Sequence, residues 1–312
     1  MVRPRYCVKK NILLCLTCYV IVACASLFFS PPRVSDRVNA NPLVKAVAPK
    51  AKPLGFLYPY TDSKKIISKK KLKEPSGIVY HRLRKTLFVL GDEGQLAEFT
   101  TRGRRLRTHQ FEKIKDLEAI TVDPRTGLLY VADERHDQII EIDPQTFLIT
   151  RRFSVPLFFK GKAYMQKGGD GIEGLTFVPD VKHKQGGIFY FTNQAKTRKP
   201  NDLSAVIAMV LPLKVKQQPE IVGYYPQPIT DLSGMFYDHQ SKHLFLASDF
   251  NNLLLEMTLD GVILKALTLP GNAQEGIALD EKDQLYIAQD TGGVLRLKTK
   301  KFPRTLKNRS EK

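Results

Sequence analysis

Apolar residues along this chain come in short runs, separated by turn-forming residues such as Gly, Asp, Asn and Pro. Short runs rich in β-branched and aromatic residues, bounded by such turns, predict β-strands. Several runs open in the same way, with an acid or Ser followed by Gly or Ala. These openings are "EPSGIVY", "DLEAITV", "GIEGLTF", "DLSGMFY" and "QEGIALD". Each is followed by further apolar runs, as "DLEAITV" is by "LLYVADE" and "QIIEIDP", so the pattern predicts repeated units of antiparallel strands.

The spacing of these openings predicts the fold. Their acid or hydroxyl residues are Ser76, Glu118, Glu173, Ser233 and Glu275. Repeats of about 40 residues with four short strands each are typical of β-propeller blades. We therefore predict an all-β, five-bladed β-propeller over residues 54–300. Six blades remain the alternative, because the stretches at 155–170 and 195–230 have room for another unit.

Closure of the ring needs one more strand, since the last unit stops after "GVLRLKT" without a fourth. Ahead of the first unit stands the orphan segment "GFLYPYT" at residues 55–61. We expect this segment to complete the final blade. Such closure removes the exposed sheet edges that would otherwise pair with other chains.

The N-terminal region is predicted to be a membrane anchor. Residues 1–10 form a basic cytoplasmic tail, and residues 11–30 include an uncharged run, Ile12 to Phe29, long enough to cross a bilayer as a transmembrane helix. Basic residues on the cytoplasmic side orient the following domain outward. A cleaved signal peptide ending at "VNA" (38–40) and a lipid anchor at Cys24 are the alternatives. Residues 31–53 are read as a linker, and residues 301–312 as a basic C-terminal tail.

Charge and cysteine usage limit the partners and the chemistry. The formal net charge is +18, and basic residues cluster at 64–73 and 101–111. An exported domain without interleaved aromatic and basic residues does not fit nucleic acid. Anionic lipid or lipopolysaccharide phosphate is the expected partner of these clusters, with solubilising edge lysines as the alternative. All four cysteines lie within the first 24 residues, which excludes thiol catalysis and cysteine-ligated metal in the propeller.

Carboxylates at the strand openings predict a metal site. The innermost strands of a propeller line its central channel, so Glu118, Glu173 and Glu275 are expected to converge near the axis. Asp133 and Glu134, which close the second strand of unit two, are expected to reach a ligand there. Such a set of hard oxygen ligands suits Ca²⁺ or Mg²⁺, and we predict Ca²⁺. Turn capping and salt bridges are the alternative, and we expect turn capping for the related acids Asp92, Asp249 and Asp290.

The ordered series "KDLEAITV…LYVADER", "GIEGLTF", "ITDLSGMFY…LASDFNNLLLEMTLDG" and "QEGIALDEKDQLYIAQD" resembles the SdiA-regulated (YjiK) family. The resemblance covers residues 54–298. It implies a membrane-anchored periplasmic β-propeller of a Gram-negative bacterium, held by a single pass in the inner membrane. Similar propellers in the wider class include calcium-dependent lactonases, phytases and esterase-like proteins.

Two functions follow from these patterns. The first is a cell-envelope binding module of unknown ligand with a divalent cation, calcium, in the central channel. The alternative is a calcium-dependent hydrolase of a phosphoester, ester or lactone, in which Asp133 or Glu134 activates water. The chain has no Gly-x-Ser-x-Gly motif and no dense acid clusters like those of the phytases. The binding module is therefore favoured over an enzyme.

Overall fold

The computed structural model describes residues 56–165, 171–193 and 204–305. Within these ranges nearly all regular structure is β-strand, and the strands form five blade sheets and one small two-stranded sheet. Two strands precede the blades: β1 (Phe56–Leu57) and β2 (Asp62–Ser68). Blade one contains β3 (Ile78–His81), β4 (Thr86–Gly91), β5 (Gln95–Thr100) and β6 (Arg105–Gln110). Blade two contains β7 (Leu117–Val122), β8 (Leu129–Asp133), β9 (Gln138–Ile142) and β10 (Ile149–Ser154).

The remaining blades follow in chain order, after a small hairpin of β11 (Phe158–Phe159) and β12 (Lys162–Ala163). Blade three contains β13 (Ile172–Pro179), β14 (Gly187–Asn193), β15 (Ala205–Val210) and β16 (Glu220–Pro226). Blade four contains β17 (Leu232–Asp238), β18 (His243–Ser248), β19 (Leu253–Met257) and β20 (Ile263–Thr268). Blade five contains β21 (Gln274–Leu279), β22 (Leu285–Gln289) and β23 (Gly293–Lys298). The five-bladed prediction is confirmed.

The strand that closes the ring differs from the predicted one. β2 pairs antiparallel with β23 and supplies the fourth strand of blade five, from Asp62 opposite Lys298 to Ser68 opposite Gly293. From the predicted segment 55–61, Phe56 and Leu57 instead pair parallel with β20 at the outer edge of blade four. The prediction that a segment ahead of the first blade closes the ring is right, but its position is wrong. The aromatic side chains of "GFLYPYT" favoured a strand, whereas the lysines of "DSKKIIS" suit an exposed outer strand.

The hydrophobic core of the described part of the chain is divided among the interfaces between neighbouring blades. Tyr130 of blade two packs with Phe189 of blade three, and Phe245 of blade four packs with Leu285 of blade five. Strands β4 and β18 are buried throughout, because both faces of each blade lie against a neighbour. Burying apolar area on both faces of every inner blade strand supplies the main stabilisation of the ring.

Small residues let the innermost strands approach one another. A Cβ atom added at Gly174 would lie 2.2 Å from the carbonyl oxygen of Ser233, and one added at Gly234 would lie 2.3 Å from that of Glu275. Neither distance leaves room for a side chain. The Gly or Ala that follows each acid or Ser is therefore required by the close contact between blades, as the repeat predicts.

The predicted cytoplasmic tail (1–10), anchor (11–30) and linker (31–53) lie outside the described residues. Over the ranges that the structure describes, we find no helix with the length and apolar character needed to cross a bilayer. The anchor therefore stays a prediction.

Candidate functional site

A β-bulge occurs where the inner strands of four blades begin. The pairing of β7 with β8 shifts between Leu117 and Ile120, and that of β13 with β14 shifts between Ile172 and Gly174. The same shift occurs in β17 and β21. A bulge bends the strand and re-aims a side chain. It explains how strands that are otherwise apolar can open with the carboxylates of Glu118, Glu173 and Glu275.

Carboxylates from several blades gather at the end of the channel where these inner strands begin. We call this group the acidic mouth, and its members are Asp92, Asp116, Glu118, Glu134, Glu173 and Glu275. One carboxylate oxygen from each of Asp92, Asp116 and Glu118 lies within 4.8 Å of those of the other two. This part of the site joins blade one to blade two.

Burial and mutual repulsion raise the pKa of two of these carboxyl groups. The pKa of Glu173 is raised well above its ordinary value, first by burial and then by the negative charges of Glu118, Glu134 and Glu275. The pKa of Glu118 is raised in the same way, by burial and then by Glu134, Asp92 and Glu275. The three glutamates of the strand openings therefore sense one another's charge, which fits the expected convergence.

Asp133 and Glu134 are adjacent in sequence, but their side chains make hydrogen bonds in different parts of the structure. The Asp133 side chain is fully buried, and its oxygens accept hydrogen bonds from His136 Nδ1 at 2.9 Å and Gln138 Nε2 at 2.7 Å. It holds the turn that follows β8. Glu134 begins the 3₁₀ turn Glu134–His136, and its Oε1 accepts a 2.5 Å hydrogen bond from the Gly171 amide in the next blade. Of the two, Glu134 is the one that acts electrostatically on Glu118 and Glu173.

The strand register, compared from blade to blade, explains why Asp133 and Glu134 differ. Leu117 pairs with Asp133 in blade two, as Leu232 pairs with Ser248 in blade four and Gln274 with Gln289 in blade five. Glu134 is thus equivalent to Asp249 and Asp290, one residue further along. The equivalent positions in blades four and five are also buried and hydrogen-bonded, as Ser248 is to the carbonyl of Thr230 just before β17. In blade two the acid of the mouth, Glu134, occupies the next position.

The two serines of the strand openings have a structural role. Ser76 Oγ donates a hydrogen bond to the carbonyl of Leu117, and Ser233 Oγ donates one to the carbonyl of Gln274. Each bond joins the inner strand of one blade to the inner strand of the next. The repeat position therefore holds hydroxyls that connect blades in two units and carboxylates in the other three.

Sequence reasoning missed two members of the acidic mouth. Asp92 was expected to cap a turn, but burial and the charges of Asp116 and Glu93 raise its pKa. Asp116 precedes Glu118 by two residues and adopts a left-handed backbone with φ 63°. Its Oδ2 also accepts a 3.3 Å hydrogen bond from Arg135. The sequence did contain a signal for both, because blade four has Asp231 where blade two has Asp116 and Asp249 where blade one has Asp92. The structure shows the same left-handed backbone at Asp231, with φ 58°.

The channel below the mouth is almost closed. Its cavity measures about 10 Å³, room for roughly one water molecule. One apolar side chain from each inner strand contributes to its lining: Ile78, Ile120, Leu175, Met235 and Ile277. A ligand larger than water therefore cannot enter this part of the axis.

Comparisons with known proteins agree with this architecture. The sequence profile of the family described as SdiA-regulated matches residues 60–292. The chain is similar in structure to glutaminyl cyclase of Myxococcus xanthus, with 10% identity, a TM-score of 0.55, and coverage of 79% of this chain and 97% of that one. It is also similar to a gluconolactonase of Xanthomonas campestris, with 13% identity, a TM-score of 0.48, and coverage of 80% and 95%. At 10% identity, the likeness to the glutaminyl cyclase concerns the fold alone.

Proposed function

The chain belongs to the SdiA-regulated family, and on that premise we propose that it is a propeller binding module whose acidic mouth takes up a divalent cation, Ca²⁺. The observation that carries this proposal is the convergence of Asp92, Asp116 and Glu118 beside the buried carboxyl of Glu173. Buried carboxylates that repel one another are stabilised by a cation among them. The ligand would then bind over the mouth, through the cation and the surrounding side chains.

The donor set fits a hard cation. All members of the acidic mouth offer carboxylate oxygens, which Ca²⁺ takes in sets of six to eight at about 2.4 Å. Ligand atoms around one such ion lie at most about 4.8 Å apart, and the oxygens of Asp92, Asp116 and Glu118 meet that limit. Glu173, Glu134 and Glu275 would complete the negative charge around them. Asp133 is placed outside this set, because His136 and Gln138 already occupy its oxygens.

A calcium-dependent hydrolase of a phosphoester, ester or lactone is the second candidate. The raised pKa of Glu173 favours it, because a buried carboxyl that holds its proton more tightly than usual can act as a general acid. In this candidate Glu134, whose Oε1 accepts a hydrogen bond from the Gly171 amide, would orient the attacking water. The test is hydrolysis of p-nitrophenyl phosphate, p-nitrophenyl acetate or a γ-lactone. Hydrolysis by the wild type that is lost in Glu134→Gln would establish this function instead.

Calorimetric titration of Ca²⁺ into the full-length protein in detergent tests the cation site. We expect saturable binding to the wild type and at least tenfold weaker binding to Asp92→Asn, because affinity follows the number of charged ligands. Glu220→Gln is the matched control, since Glu220 is an exposed carboxylate at the start of β16. Absence of binding to the wild type, or equal weakening in Glu220→Gln, would contradict the proposal.

We propose that residues 11–30 anchor the propeller in the inner membrane, with the C-terminal domain in the periplasm. The support is the uncharged run from Ile12 to Phe29 behind a basic tail. The protein should then sediment with membranes after a high-salt wash and be degraded by protease added to spheroplasts. A soluble periplasmic form beginning near Asn41 would show instead that the segment is a cleaved signal peptide.

A further inference from the structure

Three blades bury a glutamate at the same register of their third strand. These glutamates are Glu98 in β5, Glu141 in β9 and Glu256 in β19, and all are 3% exposed or less. The residue opposite each on the fourth strand is a cation: Arg107, Arg151 and Lys265 respectively. Arg107 and Arg151 form ion pairs with their glutamates, and Lys265 Nζ lies 3.7 Å from Glu256. In these blades the fourth-strand cation is neutralised by a carboxylate from within the sheet.

Blade five reverses the charge at this register. Arg296 of β23 stands opposite Tyr286 of β22, the position that Glu141 holds opposite Tyr130 in blade two. Across the other edge Arg296 stands opposite Lys64 of β2, where blades one, two and four have their arginine or lysine. Like charges directly opposite on neighbouring strands are destabilising. Blade five thus keeps the cation and lacks the carboxylate that neutralises it elsewhere.

Arg296 also has an unmet hydrogen-bond donor. Its Nε is buried and has no hydrogen-bond partner, and no ion pair forms on Arg296 in the described part of the chain. Tyr286, whose equivalent Tyr130 donates to Glu141, donates instead to Asp280 at 2.9 Å. A buried donor without a partner is uncommon in native proteins and calls for an acceptor supplied from elsewhere.

An open cavity of about 390 Å³ lies at this position, between blade five and the β5–β6 turn of blade one. Its lining is basic and polar and contains no carboxylate: Thr101, Arg102, Lys282, Gln284, Arg296, Lys298 and Thr299. Of the four cations, Lys298 has an acidic partner, Asp62, at 3.6 Å on the exposed surface. A concave site lined by several cations and hydroxyls concentrates anions.

We propose that this cavity binds a phosphate monoester, whose oxygens take the place that the buried glutamate takes in blades one, two and four. Arginine recognises phosphate through paired charge-assisted hydrogen bonds, and the Thr101 hydroxyl adds a neutral donor. The volume falls in the range of small-molecule sites and exceeds what inorganic phosphate fills, so the phosphate carries an organic group. A soluble phosphorylated metabolite and a lipid headgroup share this chemistry.

Thermal unfolding of the full-length protein in detergent tests the proposal, with glycerol 3-phosphate as the soluble probe and dihexanoyl phosphatidic acid as the lipid probe. The buffer contains EDTA, which separates this site from the proposed cation site, and sodium chloride keeps the ionic strength constant. We expect saturable stabilisation of the wild type by at least one probe. A response to glycerol 3-phosphate alone assigns the soluble source, and one to phosphatidic acid alone assigns the headgroup.

Single substitutions test whether the phosphate probes bind in this cavity. Arg102→Gln and Lys282→Gln, both exposed turn residues, should each raise the apparent Kd about tenfold, the loss of one charge-assisted hydrogen bond. Arg296→Glu gives Lys64 the partner found in the other blades, so this variant should fold and lose the response entirely. Lys216→Gln removes one exposed charge in blade three and should leave the Kd unchanged. No response of the wild type to either probe, or equal weakening by Lys216→Gln, would overturn the proposal.

Discussion

At the scale of single residues, the acidic mouth shows how a propeller tolerates charge at its axis. Glu173 is 8% exposed and is surrounded by other acids, so its neutral form is favoured in the folded protein. In the unfolded chain the same carboxyl ionises at its ordinary pKa. A group whose pKa is raised by folding contributes stability that is complete below the unfolded pKa and is lost as the pH rises through the folded pKa.

Glu173→Gln should therefore change how stability depends on pH. The variant keeps the neutral shape of the protonated side chain, so it avoids the loss that the wild type suffers above about pH 4.5. In EDTA we expect the variant to be more stable at pH 8 by about 1–3 kcal/mol, the range for an unsatisfied buried group, and equal to the wild type at pH 4. Denaturant unfolding at both pH values measures this.

The stability that Glu98 and Glu141 contribute depends on pH in the opposite direction, but it does not affect the comparison of Glu173→Gln with the wild type. Their arginine partners hold both pKa values below the ordinary range, despite the opposing effect of burial, so their stabilisation is lost as the pH falls. The wild type and Glu173→Gln both contain these ion pairs, so their effect cancels in the difference between the two free energies of unfolding. Parallel pH profiles for the variant and the wild type would show that Glu173 is charged and well paired in the folded state.

At the residue scale, the sequence could locate candidate site residues where a repeat fixed their position. Glu118, Glu173 and Glu275 follow from five aligned openings, since strand alternation and a shared Gly or Ala set their register. The repeat named both Asp133 and Glu134 but could not distinguish their roles, because the 3₁₀ turn begins between them. Asp116 was missed because its left-handed φ, which strand periodicity does not indicate, aims it at the mouth.

At the scale of elements, ring closure depends on β2. Ile67 is fully buried in the core between blades five and one, and its carbonyl oxygen lies 2.0 Å from where a Cβ on Gly293 would stand. The preceding residues of β2, from Asp62 to Lys65, are exposed. Two apolar residues in a polar strand carry little sequence signal, so the fourth strand of blade five was predicted too early in the chain.

Ile67→Ala should lower the free energy of unfolding by about 2–5 kcal/mol, the usual range for emptying a buried isoleucine site. Phe56→Ala, in the segment that pairs with blade four, is the matched control, because that side chain is 86% exposed. Its effect should stay within about 0.5 kcal/mol. Urea unfolding followed by tyrosine fluorescence compares the two, and a larger loss in Phe56→Ala would assign closure to the earlier segment.

At the scale of the whole molecule, the proposed cation would connect blades. Asp92 belongs to the turn after β4 of blade one, and Asp116 and Glu118 belong to the start of blade two. An ion held by both would stabilise the ring against opening at this junction. Binding to the folded state alone raises the free energy of unfolding by about 2.7 kcal/mol at a hundred times the Kd.

Adding Ca²⁺ should therefore raise the melting temperature of the protein, and EDTA should lower it, by several degrees for a domain of this size. The transition should stay single in both conditions, since the ion acts on the ring as a unit. Glu220→Gln should retain the response, and Asp92→Asn should reduce it. Melting curves from calorimetry that coincide in Ca²⁺ and EDTA would mean that the acidic mouth is neutralised by protons and neighbouring lysines and arginines.

The pairing of β2 with β23 has a consequence for biosynthesis. Asp62 leaves the ribosome long before its partner Lys298, because four blades and most of the fifth are translated between them. The first strand of the propeller must therefore wait for the last one, and closing so long a loop is a slow step. Until then β2 and the open edge of blade five are exposed to other chains. The lysines of β2 protect the nascent protein during that interval, before they have any role in the finished ring.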